Sequence, residues 1–238
     1  MIAGILRALS LGLLLVRYNI KIVFAQRFLY FLFAAMGLFA AAVLINRAAG
    51  KELTPSTLYD LLLLPGILLV FYPAVFGIQS DSDARMLEMI FGIPDYRYKV
   101  WLFRLLLSIA VAEAVLFCLC CACAIFYSGF PIVRMSMQIF FAVVFWSGTA
   151  FACSTLMRSA YGAAVLLILA GFLLWVAGGS LAANQWNVFL NPFDAVSGAK
   201  EMTWHATVRA NRILLAAAGM AGILWGMRNL TAREKFLA

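Results

Sequence analysis

Few residues in this chain have the chemistry for a reaction, and they stand apart from one another. Glu113 is the one acidic side chain deep in an apolar run, near the middle of residues 100–127. A carboxylate at bilayer depth costs roughly 3 kcal/mol or more unless it is protonated, paired or facing water, so it is a functional candidate by position. A pathway role and inter-helix glue fit it equally. For the second role, Gln138, Ser147, Thr149 and Ser154 of the following apolar run are the expected partners; Glu113, Gln138, Ser147 and Thr149 are the candidate pathway residues. His205 is the single histidine, which excludes an HExxH zinc site and leaves little for acid–base work. Ser197 precedes it by eight residues, but no partner at helical spacing makes a nucleophile of it. Cys118, Cys120, Cys121 and Cys123 scatter around a helix instead of pairing as CxxC across a turn. They read as small buried hydrophobes, and no metal site is expected. Neither a GxxxxGK[ST] phosphate loop nor a GxSxG elbow occurs, so the chain is not expected to be an enzyme.

The elements that must position these residues are membrane helices. Of the 238 residues, 66% are hydrophobic and 12% charged, against roughly a quarter charged in soluble domains. The mean hydropathy is +0.99. A spanning helix needs about 20 mostly apolar residues, and the sequence predicts six: 28–46, 58–78, 100–127, 132–156, 160–182 and 209–227. The last is the least apolar, and Arg209 and Arg212 are expected to snorkel from its outer end to the interface. Pro65 and Pro73 fall inside the second span, where neighbouring helices can re-satisfy the backbone. With the amino terminus inside, twelve of the 18 basic residues lie on the cytoplasmic side. This bias places both termini in the cytoplasm, as in a bacterial inner-membrane protein. The net charge of +8 is then a topology and lipid-headgroup signal, with no nucleic-acid partner implied.

Residues 4–27 place Arg7, Ser10, Arg17 and Lys21 on one helical face, which predicts an interfacial amphipathic helix; a seventh, short span is the alternative. Residues 184–207 are too polar to span. Trp186 and Trp204 suggest an outer segment at the interface or partly re-entrant.

The densest charged stretch runs from Ser80 to Arg104. Ser80 and Asp83 make an [ST]-x-x-[DE] start, and Gly92 and Pro94 a stop, predicting an amphipathic helix over 81–92. Met86, Met89, Ile90 and Ile93 form its apolar face. Tyr96, Arg97, Tyr98, Lys99 and Trp101 are expected to anchor the third span at the headgroups.

With this layout the chain resembles the permease subunits of ABC-2 type (type V exporter-like) ABC transporters. The residues that carry the likeness are Asp83, Arg85, Leu87, Glu88 and Pro94 in the loop, the Met157-Arg158-Ser159 turn, and Asn191-Pro192 before the last helix. The resemblance implies a pathway formed by two permease copies (a homodimer or a related heterodimer) among membrane lipids. It implies a separate ABC ATPase subunit that binds ATP and Mg, with no cofactor on this chain. The 81–92 segment becomes a coupling helix. Its contact residues are Asp83, Arg85, Met86, Glu88 and Met89, flanked by Arg17, Lys21 and Arg158. The resemblance covers exporters of lipids, lipid-linked glycans, drugs and peptides, and within it an apolar pathway would suit a lipid-like or amphipathic cargo. A non-transporting scaffold or assembly subunit, and a secondary carrier using Glu113, are the competing readings.

Overall fold

Long runs of Leu, Ala, Phe and Val, broken by short clusters of Gly, Pro, Asn and Ser, can satisfy their backbone in an apolar solvent only as helices. The computed structural model describes residues 26–50, 52–83, 85–126, 130–157, 159–181, 184–194 and 200–231. Among the described residues six helices are long and apolar enough to cross a membrane. In chain order the helices are α1 (Gln26–Ala48), α2 (Pro55–Asp83), a short α3 (Leu87–Phe91), a π-helical turn (Arg97–Leu102) running into α4 (Phe103–Phe126), α5 (Ile132–Met157), α6 (Ala160–Ser180) and α7 (Lys200–Asn229). The interfacial helix expected at 4–27 lies outside the described residues.

Local chemistry sets several of these boundaries. Pro55 is the first residue of α2, and Thr54 accepts a hydrogen bond from the Thr57 N–H at 3.3 Å. Ser159 does the same for the Gly162 N–H at the start of α6. Helix α2 passes through Pro65 and Pro73 without ending. The expected spans are present, with most ends displaced outward by a few residues. The largest displacement is in α7, which starts at Lys200 instead of 209. Thr203, His205 and Arg209 lower the hydropathy of its first turns without breaking the helix. Only 184–194 of the predicted 184–207 outer segment is therefore described as turns.

Helices α2 and α5 form the interior: half or more of each apolar window is buried, against 11% for α1. Helix α5 packs most extensively on α7 and then on α2, while α4 and α6 lean on both. The two loop regions define opposite ends, here called the Asp95 end (residues 85–96) and the Asn191 end (184–194).

The α5–α7 seam is made by glycine. A Cβ on Gly148 would lie 2.0 Å from the Gly219 carbonyl oxygen, one on Gly219 2.7 Å from Val144 O, and one on Gly222 2.7 Å from Gly148 C. Lower in the seam the Phe151 ring lies where a Gly226 Cβ would be, 2.5 Å away. The two backbones touch, the small-residue mode by which membrane helices associate through van der Waals contact. A side chain here must push backbone, not a movable side chain. We expect Gly148→Leu or Gly219→Leu to destabilise the protein by about 1–3 kcal/mol or more, measured as thermal melting in detergent. Gly37→Leu, where a Cβ meets nothing within 4 Å, should leave the melt unchanged.

Candidate functional site

At the Asp95 end the sequence predicts one helix over 81–92, and the structure divides it. Asp81 to Asp83 complete α2 instead of starting a new helix. Asp81 is buried and forms an ion pair with Arg104 of α4, and Gln79 Nε2 donates to Asp83 Oδ1 at 2.9 Å. Asp81 is therefore engaged within the bundle and Asp83 with Gln79 of its own helix on the surface, and neither caps α3. The chain then reverses through Arg85, whose φ is +54°, and α3 begins at Leu87 with no side-chain cap. The stop falls where expected: the Gly92 N–H bonds to the Glu88 and Met89 carbonyls at 3.2 Å.

Starting at Leu87 changes which residues face inward. Leu87, Ile90 and Phe91 are buried, Met86 is half-buried, and Glu88 and Met89 are exposed, with Met89 at 68%. Met89 therefore leaves the apolar face predicted for it. Tyr96 and Trp101 also turn inward, each only 3% exposed, instead of lying at the headgroups. The Tyr96 ring meets Phe91 edge-on at 5.1 Å, and its hydroxyl donates to the Leu230 carbonyl just beyond α7. Arg104 lies over the Trp101 ring at 5.6 Å. Lys99 and Asp95 pair on the surface at 3.6 Å, a contact of small energy. Asp81–Arg104 thus joins α2 to α4 at the base of the loop, and Tyr96 ties the loop itself to the end of α7. Asp83, Arg85, Glu88 and Met89 stand exposed on its outer side. Arg17, Lys21 and Arg158 lie outside the described residues.

Mid-bundle, Glu113 accepts a hydrogen bond from Ser136 of α5 through Oε1, while its Oε2 is buried without a described partner. None of the expected partners fills that role. Gln138 bonds Arg212, Thr149 bonds the Phe145 carbonyl of its own helix, and Ser154 bonds Val75 O across to α2. Ser147 is fully buried, and its hydroxyl has no hydrogen-bond partner among the described residues. Ser136 was missed because, one turn into α5, it looks in sequence like an interfacial serine. Among the described residues the four proposed pathway residues make no hydrogen bond to one another. Of the cysteines in α4, Cys118 is exposed while Cys120 and Cys123 are buried, and among the described residues no three His, Cys, Asp or Glu side chains gather as a metal set. His205 is exposed at the start of α7.

The Asn191 end holds what the sequence did not reveal. Arg212 does not snorkel; it is 4% exposed. Its guanidinium donates to Gln138 Oε1 (2.7 Å) on α5, Tyr59 OH (3.0 Å) on α2, Leu190 O (3.0 Å) in the turn segment, and Asn211 Oδ1 (3.0 Å). Four directed bonds to neutral oxygens hold the charge, which only the planar five-donor fork of arginine can arrange. Asn211 Nδ2 adds bonds to Gln185 O and Asn187 O, both 2.8 Å. From the turn, Asn191 Nδ2 reaches Ser56 O, Ser56 Oγ and Asp60 Oδ1 at 3.0 Å, while Ser56 Oγ donates to Asp194 Oδ1 at 2.7 Å. A single polar cluster thereby closes this end over α2, α5 and α7. The signal in the sequence was Arg212, expected with Arg209 to snorkel because the helix start was placed at 209 instead of Lys200.

Comparison with known proteins finds no matching family model, no matching curated protein and no matching solved structure. Geometry and sequence alone carry the functional reading. Three of the Arg212 bonds cross to other elements, and inter-helix polar bonds in membranes are worth about 0.6–1.7 kcal/mol each. We expect Arg212→Met to cost roughly 2–5 kcal/mol in a detergent melt. Arg212→Lys should recover only a minor part, since an ammonium cannot span Gln138, Tyr59 and Leu190 together.

Proposed function

We propose that the chain is the membrane-spanning permease subunit of an ATP-driven ABC exporter of the ABC-2 type. In this reading it works as a dimer with separate ATPase subunits, in a bacterial inner membrane, with both termini cytoplasmic. One observation carries the proposal: the 85–96 loop exposes Arg85, Glu88 and Met89 on one side, while Leu87, Ile90, Phe91 and Tyr96 are packed inward on the other. Such a segment has both properties of a force receiver. Its outer face offers charge of both signs and a flexible thioether to a protein surface. Its inner face packs into the core through Leu87, Ile90, Phe91 and Tyr96, and the Tyr96 hydroxyl bonds Leu230 just beyond α7, so that displacement of the loop is passed to the spans it packs on. A passive linker between two helices needs neither.

Binding by two nucleotide-dependent states of the ATPase, with different contact energies at this face, would supply the coupling. ATP and Mg are held by that partner. The basic bias toward the Asp95 end supports the cytoplasmic placement of the loop. Amphipathic or lipid-like cargo fits the apolar composition of the spans, and glycan-linked cargo follows from the family resemblance alone. A secondary carrier is the second reading, favoured by the buried, unpartnered Oε2 of Glu113.

The test is isolation of the tagged full-length chain from its native membranes, with a photoreactive ATP analogue to mark an ATP-binding companion. A labelled ATPase should co-purify. Arg85→Glu combined with Glu88→Arg should lower its recovery about tenfold, the loss of about 1.4 kcal/mol of contact. No labelled companion, or unchanged recovery with the double variant, overturns the proposal. Ion-driven uptake into vesicles without ATP, abolished by Glu113→Gln, would establish the carrier reading instead.

A further inference from the structure

Near the Asn191 end a groove of about 780 Å³ runs between α2 and α6, open along its length. That size is within the about 300–1,000 Å³ of small-molecule sites. Its walls are apolar, with Leu64 and Trp175 prominent (58% and 65% exposed), and Asn187 and Phe189 of the turn segment close one end. Asp60 is the single charged residue of its lining and is solvent-accessible. One oxygen of Asp60 accepts from Asn191, and Asp194 is held close by through Ser56. Among the described residues neither carboxylate has a lysine or arginine within ion-pair distance.

Two described cations of the neighbouring helices are engaged elsewhere. Helix α6 contributes no charge. Arg134 of α5 lies over the Phe193 ring at 5.5 Å, and Arg212 of α7 is committed to its four oxygen acceptors. A carboxylate in an open apolar groove that an indole also lines complements an ammonium head on an apolar tail. A primary ammonium has N–H donors for Asp60, which a quaternary choline lacks, and a purely anionic head would be repelled.

We propose that this groove binds a bilayer phospholipid whose head carries a primary amine, with the ammonium on Asp60 and an acyl chain between α2 and α6. The proposal concerns binding by this chain alone and stands or falls without any ATPase. Native mass spectrometry of the purified full-length protein, offered equal amounts of dioleoyl-phosphatidylethanolamine, -phosphatidylcholine and -phosphatidylglycerol, tests it. One phosphatidylethanolamine should be retained in preference to the other two. Asp60→Asn, which keeps an acceptor for Asn191, should cut that retention about tenfold, the scale of one charge-assisted hydrogen bond. Gly179→Phe should abolish it by filling the groove, because a Cβ there meets nothing within 4 Å. Unaltered thermal melts would show that both variants fold. Equal retention of the three lipids, or undiminished phosphatidylethanolamine in both folded variants, overturns the proposal. So does efficient disulfide cross-linking of two copies through Gly179→Cys, which would assign the groove to a second copy of the chain.

Discussion

The contact between the backbones of α5 and α7 is the constraint on which the other features depend. Gly148 on one helix and Gly219 and Gly222 on the other leave no room for a side chain. In a bilayer, where lipid tails solvate Leu as well as protein does, such close approach is what favours association over dispersal. It also fixes the rotation and height of α7. Set by this seam, Arg212 comes within 2.7 Å of Gln138 at one end, and Asn229 Nδ2 within 3.2 Å of Thr155 Oγ1 toward the other. A single axial step of α7 would move both by about 1.5 Å, enough to break the polar contacts at both ends.

The two ends handle buried charge differently. At the Asp95 end a carboxylate and a guanidinium neutralise each other, with Trp101 against the cation. Such a pair can separate into water when the end opens, exchanging ion pairing for hydration at modest net cost. At the Asn191 end Arg212 is surrounded by neutral oxygens from three elements besides its neighbour Asn211. Opening it would strip several buried acceptors at once. The chemistry therefore makes the Asn191 end the harder one to open and the Asp95 end the one with an exchangeable clasp.

Much of the architecture was legible in the sequence because bilayer thickness and backbone satisfaction leave a single-chain apolar sequence few options. The six spans follow from length and hydropathy, and the Gly92 stop from local backbone chemistry. Side-chain direction was less legible. Met89 and Leu87 are equally apolar, and only the starting register of α3 decides which faces out. That register follows from α2 running on to Asp83, where Asp81 meets Arg104, a contact 23 residues away in sequence. Arg212 was misread for a related reason. An arginine near a span end is ordinarily interfacial, and its burial depends on Tyr59, Gln138 and Leu190, none of them near it in the chain. The glycines of the seam, at 219, 222 and 226, had the required spacing. Without a partner helix in view, that spacing does not distinguish a contact from a lipid-facing groove.

Helix α7 links the exposed loop to the rest of the bundle. Leu230, which receives the Tyr96 hydroxyl, lies 18 residues from Arg212, about 27 Å along a helix. Between them Gly219, Gly222 and Gly226 hold α7 against α5, so α7 cannot bow away alone without forfeiting the seam. A push on the loop must then either tilt α5 and α7 as a pair or break the Tyr96–Leu230 bond first. On the transporter reading the first course is the useful one. A pair pivoting about the firm Arg212 cluster would move most at the Asp95 end, where the clasp is an exchangeable ion pair. Opening at that end under a force applied there, with the far end held, is the motion this distribution of contacts favours.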